Sequence, residues 1–426
     1  MKKQLLLGST ALIVGALAVP GFAVAEEKVK LEVRGYANQY FGFGDVDVGA
    51  DNTKTGATTS QDSTSEYSDG EIHFKGRTTL DNGLTVGVHV ELEFNESGDQ
   101  IDEQYVWLRG DFGKLVIGSE NLPDYLTFWG VTAPNVGVPI NSGWISVFAP
   151  IPKGITTGFR SSMQTTNLTL TNDTFQIGYQ SPRFSGFQFV VGYAPTDASS
   201  GNPKNAVTDE DAELTNIISV GANFSESFNG VDVGLAVGYE HADGPSKAGT
   251  AQTQLNIDAR TTILGNLVGG TFIGAFDLNS TTLTDAQEDE KAVVDGILAN
   301  DKVAATDVSD PQIFKVGASI GSGGFSIAGS YGVYDSDGSD DGISYDIGAS
   351  YSTGPWGVSV AYFHGEEEGT AGGGDDEVDA VVGAVSYSLG PGIKTSLSIL
   401  YAKWEDEGGV VESESTMGIL GLAISF

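Results

Sequence analysis

Apolar and polar residues alternate one for one through most of this chain, in segments of about ten residues separated by turn formers, the pattern of strands with two unlike faces. The carboxyl end carries it most clearly: Phe426, Ile424, Leu422 and Leu420 take every second position up to the last residue. A terminal strand with one strongly apolar face needs a partner strand and an apolar medium, and a closed barrel in a bilayer supplies both. Near the other end, Leu31, Val33, Gly35 and Ala37 point one way and Glu32, Arg34, Tyr36 and Asn38 the other. Ile72, Phe74, Gly76 and Leu80 oppose Glu71, His73, Lys75 and Arg77. Beyond Asp81-Asn-Gly83, Leu84, Val86, Val88, Val90, Leu92 and Phe94 oppose Thr85, His89, Glu91 and Glu93. The same two faces recur over 101–112, 114–120, 173–181, 187–195, 213–225, 230–241, 312–321, 324–334, 342–352, 355–365, 377–388, 391–403 and 415–426. No helical period fits these stretches over comparable length.

Connections come in two lengths. Short turns fall at Asp81–Gly83, Asp111–Gly113, Pro182–Gly186, Glu226–Gly230, Gly321–Gly324, Thr353–Pro355 and Gly390–Gly392. Long connections fall at 43–69, 95–100, 121–172, 196–212, 242–311, 335–341, 366–376 and 404–414. Short turns at one rim and long loops at the other predict an all-β, antiparallel transmembrane β-barrel. Seven short turns and two terminal strands make sixteen strands; a hairpin at 253–278, if it joins the wall, makes eighteen. The terminal strand should pair with Val29–Gly42 and leave no free edge. A secreted β-sandwich would bury its apolar faces in a core and needs fewer strands.

Met1-Lys-Lys, the apolar run Leu5–Leu17 and Ala23-Val-Ala25 before Glu26 have the form of a cleaved secretory leader, so 1–25 is expected to be a signal peptide and 26–426 one barrel domain. That apolar run is short of the ~20 residues of a spanning helix, and no later run reaches that length. Glycine is abundant, 59 of 426 residues, as a chain rich in tight turns requires. Cysteine is absent, so stability has to come from closure and burial rather than disulfides. Removing Lys2 and Lys3 with the leader takes the net charge from −36 to −38, which argues against a nucleic-acid partner.

With these features in place, the chain resembles the Gram-negative general porin family over essentially all of 26–426. The likeness is sharpest at Gly35-Tyr36, at Ile101-Asp-Glu-Gln-Tyr-Val-Trp-Leu-Arg-Gly-Asp-Phe-Gly-Lys-Leu-Val-Ile-Gly118, at Ser388-Leu-Gly-Pro-Gly392 and at Phe426. The resemblance implies a trimeric, sixteen-stranded, water-filled channel in the outer membrane, among lipid and lipopolysaccharide. It also implies that Phe426 is the terminal aromatic recognised by the barrel-assembly machinery. The 253–278 hairpin departs from the family pattern.

A channel's properties are set by its narrowest section. The connection 121–172 is a candidate for an inward-folded constriction loop. Phe128, Trp129, Trp144, Ile145, Val147 and Phe148 are too apolar for a freely solvated loop, and its charges are few: Asp124, Lys153 and Arg160. The candidate wall residues are Arg34, Lys75, Arg77 and Arg109, inside by parity because a cation on the lipid face at mid-depth costs ~2–4 kcal/mol. Glu120 and Asp124, facing them, would set up a transverse field. The acidic runs 335–341, Glu366–Glu368, Asp375–Glu377 and Glu405–Glu407 lack the spacing of a calcium loop and read as solvated acids that draw cations to the mouth. Nothing in the sequence asks for a cofactor or a metal. His73 and His89 read as pore-lining, without the nucleophile an outer-membrane hydrolase would need. A substrate-specific channel and an adhesive or structural barrel are the alternatives to a general pore.

Overall fold

The computed structural model describes residues 29–48, 64–94, 100–141, 143–152, 155, 157, 160–197, 214–244, 310–336, 341–369, 374–407 and 412–426. The leader, Lys153 and the 253–278 hairpin lie outside them.

Sixteen antiparallel strands close into a barrel, each paired with its neighbour in sequence. They are β1 (Lys30–Val48), β2 (Thr64–Thr79), β3 (Thr85–Glu93), β4 (Ile101–Gly110), β5 (Gly113–Ser119), β6 (Phe175–Gln180), β7 (Phe187–Thr196) and β8 (Thr215–Phe228). The second half is β9 (Val231–Asp243), β10 (Gln312–Ser322), β11 (Phe325–Asp335), β12 (Gly342–Thr353), β13 (Trp356–Glu368), β14 (Asp375–Gly390), β15 (Ile393–Glu405) and β16 (Glu412–Ser425). β9 pairs directly with β10, from Val231↔Ser322 to His241↔Gln312, so no hairpin from the intervening segment enters the wall and the strand number is sixteen.

Closure runs where the alternation placed it. β1 pairs with β16 from Tyr36↔Ser425 to Val48↔Ser413. The seam ends in reciprocal backbone bonds: Gly35 N–H donates to Phe426 O and Phe426 N–H to Gly35 O, both at 3.0 Å. Every strand edge is thereby used, as a bilayer demands.

The faces sort by parity. Leu420, Leu422 and Ile424 of β16, Leu397 and Ile399 of β15, and Val358 and Val360 of β13 are exposed on the outside. Tyr36, Glu71, His73, His89 and Glu91 meet one another inside. In one respect the interior differs from a polar lumen. Phe363, Val378, Ala380, Val382, Leu400, Ala402, Trp404, Met417 and Ile419 point inward from β13–β16 and are buried, so these strands are apolar on both faces. The long connection between β5 and β6 covers them.

Candidate pore constriction

Residues 120–174 leave the wall between the two shortest strands, β5 and β6, and fold into the barrel. The exit is at Gly118, whose φ of 137° and a Cβ position 2.5 Å from Gln104 O exclude any side chain. The segment carries two short helices, α1 (Pro123–Phe128) and α2 (Trp144–Phe148).

Its contacts follow the inner wall in strand order. Pro123 sits against β6 and β7, where Gly178 and Gly192 leave it room. Asp124 reaches Ser219 of β8 and Lys315 of β10. Ala133 N–H donates to Asp346 Oδ2 of β12 at 3.1 Å, Val136 N–H to Ser359 Oγ of β13 at 3.1 Å, and Val138 N–H to Ser398 Oγ of β15 at 3.0 Å. Trp144 then packs edge-on to Tyr40 of β1 and Tyr67 of β2, with centroids 5.2 and 4.8 Å apart. The indole N–H of Trp404 donates to Ala149 O at 3.1 Å. Ile140, Ile145, Phe148, Ile155 and Met163 fill the space between loop and wall.

The return leg is fixed at the same points. Lys315 is completely buried and donates to Leu168 O at 2.7 Å, with Asp124 Oδ2 at 2.9 Å and Glu240 Oε1 at 3.4 Å. Glu240 Oε2 accepts from Leu170 N–H at 2.7 Å. Lys315 therefore ties the first and last turns of the loop to β9 and β10. Asp346 does the same at mid-loop, accepting from Ala133 N–H, Asn141 Nδ2 and, at 2.8 Å, both Ser330 N–H and Ser330 Oγ. Lys315, Glu240, Asp346 and Trp404 were not singled out from sequence. The one signal they left is an ionisable or large aromatic side chain at a lumen-facing position, which many lumen residues share.

The loop thus covers the inner wall from β6 round to β16. It also reaches the long-loop ends of β1 and β2 through Trp144 and of β4 through Asn121. What it leaves open is the short-turn part of the lumen face of β1–β5, and Arg34, Lys75, Arg77 and Arg109 all lie there with solvent contact. Adjacent registers group them toward the short-turn rim. Lys30 pairs with Arg77 and Glu32 with Lys75, while Arg109 stands opposite Lys114 and holds its guanidinium 5.6 Å from the Trp107 ring centre. Arg34 pairs with Glu32 of its own strand. Lys30 and Lys114 extend the set. One step toward the long-loop rim comes a band of Glu71, His73, Glu91, Glu103 and Tyr105.

The acids expected to face the basic wall are placed otherwise. Asp124 is 1% exposed and bound to Lys315 and Ser219, so it does not look into the passage. The reason is energetic: a carboxylate carried inward on an apolar helix is stable only with a buried counter-charge, and Lys315 supplies it. Glu120 is also buried, against Glu103 and Tyr105 of β4, and it shares a small recess with Lys114. Arg160 stacks on Tyr125 at 4.4 Å and donates to Asn121 Oδ1, bracing the loop. Charge in the open passage is therefore basic near the short turns, with Glu71 the half-buried acid above it, while Glu91, Glu103 and Glu120 are buried in the wall.

Phe426 lies at the short-turn rim on the lipid side, 61% exposed. At the opposite rim, acids crowd the ends of β13–β16: Glu366, Asp375, Glu377 and Asp379 stand in adjacent registers, and Lys403 pairs with Glu405 at 2.6 Å and Glu412 at 3.8 Å.

A family model described as Gram-negative porin matches residues 8–297 and 296–406. Among solved structures, the fold is similar to an anion-selective porin from Comamonas acidovorans (14% identity, 94% of this chain and 100% of that one, TM-score 0.54). It is similar also to OmpF of Salmonella typhi in complex with daunomycin (13%, 95% and 100%, TM-score 0.54). A third likeness is to the trimer form of OmpT, an outer membrane protein of Vibrio cholerae (13%, 94% and 100%, TM-score 0.50). Identities this low establish the fold alone. No curated protein matches the sequence.

Proposed function

The chain belongs to the Gram-negative porin family and makes an outer-membrane channel of that kind; from that premise we propose that it passes small hydrophilic solutes and ions by passive diffusion, without a catalytic step and with a preference for cations. The observation that carries this reading is the division of the inner wall: the loop packs along β6–β16 and the long-loop ends of β1, β2 and β4, and leaves the polar, charged short-turn part of β1–β5 to line the passage. The rings that touch on that face, Tyr36, His73, His89 and Tyr105, run across the strands β1–β4 rather than along the passage, which favours a general pore over a channel for one solute class. We propose further that the protein is exported by removal of residues 1–25, that Phe426 is read by the barrel-assembly machinery, and that three copies associate, set among lipid and lipopolysaccharide. The Vibrio cholerae protein's trimer form supports the last point.

The cation preference rests on the summed field of the acidic rim of β13–β16 and of Glu71, which raises the local cation concentration before an ion meets the basic residues. In planar bilayers the protein is expected to insert in steps of three conductance levels, with a reversal potential under a salt gradient of cation-selective sign. An anion-selective sign overturns the preference; single, unlinked steps overturn the trimer. Neutralising Arg77, Arg109 and Lys114 together should raise the cation-to-anion permeability ratio by roughly two- to fivefold. A unit charge ~4 Å away is worth about 1 kcal/mol in water and less when screened by salt. No change in reversal potential would remove these side chains from the conducting path.

A further inference from the structure

Two histidines of the uncovered wall meet a carboxylate in a way that pore lining does not require. His73 on β2 stands directly opposite Glu91 on β3, and His89 lies two residues before Glu91 on the same face. His73 Nδ1 is 2.7 Å from Glu91 Oε1, His89 Nε2 is 2.6 Å from the same oxygen, and the two nitrogens are 3.2 Å apart. Three donor atoms thus converge on one point. The outer nitrogens are held as well: His73 Nε2 lies 2.8 Å from Glu71 Oε2, and His89 Nδ1 meets the Tyr105 hydroxyl. His89 and Glu91 are more than nine-tenths buried, while His73 keeps contact with the lumen.

We propose that His73, His89 and Glu91 form a binding site for a divalent transition-metal cation of the zinc class, reached from the pore. Two imidazoles and a carboxylate are a donor set that such ions favour over calcium or magnesium, which take oxygen ligands. With metal–ligand bonds of about 2.0–2.2 Å, ligand atoms around a four-coordinate ion stand roughly 3.3 Å apart, so the two nitrogens already have the spacing and Glu91 Oε1 needs to draw back by about 0.6–0.7 Å. Glu71 and Tyr105 occupy the positions of outer partners, which fix the tautomer and ring orientation of metal-binding histidines. When each imidazole directs its outer nitrogen to these partners with a proton, two bare lone pairs and a carboxylate oxygen face one another inside, and a cation relieves that repulsion. Glu71, Glu91 and Asp102 bring carboxylate oxygens within 4.8 Å of one another beside the site, adding to its field. The fourth position opens to the lumen, where water or a passing anion completes the coordination.

The test is a Co²⁺ titration of the barrel folded in detergent micelles, followed by the visible ligand-field absorption of the ion and by Zn²⁺ displacement. It needs no transport, so its outcome is independent of the channel reading. Expected is saturable uptake of one Co²⁺ per chain, displaced by Zn²⁺, with affinity at least tenfold weaker in His89→Gln and in Glu91→Gln and unchanged in His364→Gln. His364 lies on the outward-facing positions of β13 with Asp379 and Glu366 and serves as the control. Absence of saturable uptake by the unsubstituted protein overturns the proposal and leaves a hydrogen-bonded His–Glu network. Uptake that is unchanged in His89→Gln and Glu91→Gln, or that falls equally in His364→Gln, overturns it too, as general adsorption to acids.

Discussion

Replacing Lys315 with methionine is expected to free the constriction loop and to destabilise the folded barrel by about 3–5 kcal/mol, the usual cost of removing one partner from a buried ion pair. Lys315, Asp124 and Glu240 have fully buried side chains. Without the ammonium group two carboxylates face each other in an apolar setting, and Leu168 O loses its donor. Methionine matches the length of the alkyl stem, so the packing of the stem is largely kept, while the ammonium's contacts with the Tyr125 and Phe128 rings are lost with the charge. The midpoint of urea unfolding should fall, and single-channel records should become noisy and shift to higher conductance as the loop leaves the wall. The combination Lys315→Met, Asp124→Asn, Glu240→Gln should recover part of the loss, because no net charge is then buried. An unchanged midpoint and quiet conductance in the single variant would show that the loop is held by its apolar face alone.

Trp404→Ala should be comparably damaging, about 3–5 kcal/mol, through the cavity left by a large core side chain. Trp404 is completely buried between β15 and the loop, among Phe148, Ala149, Val378 and Ala402. Its substitution also strips Ala149 O of the indole N–H, and an unpaired buried carbonyl adds to the cost. Trp404→Phe keeps most of the volume and should cost less than half as much. The difference between the two variants in urea midpoint separates packing from the hydrogen bond. Tryptophan on an exposed wall position, such as Trp356, should be replaceable within micelles at small cost. If Trp404→Ala behaves like Trp356→Ala, the core between loop and wall is not what holds the loop inward.

The wall was legible in the sequence because its period of two is local. Leu420, Leu422 and Ile424 must share a face whatever the rest of the chain does, and one face must meet lipid. The seven short turns follow from the same pattern, since Gly83, Gly113, Gly186, Gly230, Gly324, Gly354 and Gly392 all take positive φ values. The inward course of 120–174 could be read from its apolar content, but not where it would lie. Asp124 shows why. With Glu120 it was expected to face the basic wall across the passage, yet its partner is Lys315, almost two hundred residues on in the chain. The apolar inner face of β13–β16 was equally opaque. Val378, Ala380 and Val382 alternate with Asp379, outward Val381 and Gly383, and a strand largely apolar on both sides says only that something covers it.

The strand order, the closure of β1 on β16 and the side of the wall each residue occupies were determined by the sequence alone. Backbone pairing without free edges leaves few ways to arrange alternating segments in lipid. Sixteen strands rather than eighteen, the path of the loop, the burial of Asp124 and Glu120 and the meeting of His73, His89 and Glu91 were decided only by the tertiary structure. The path of the loop and the burial of Asp124 depend on contacts between residues far apart in the chain, while Glu120 and the His73, His89 and Glu91 cluster depend on the register of neighbouring strands, inside a lumen where polar and apolar side chains are both admissible. Parity says which way a side chain points, and nothing in it says what it will meet.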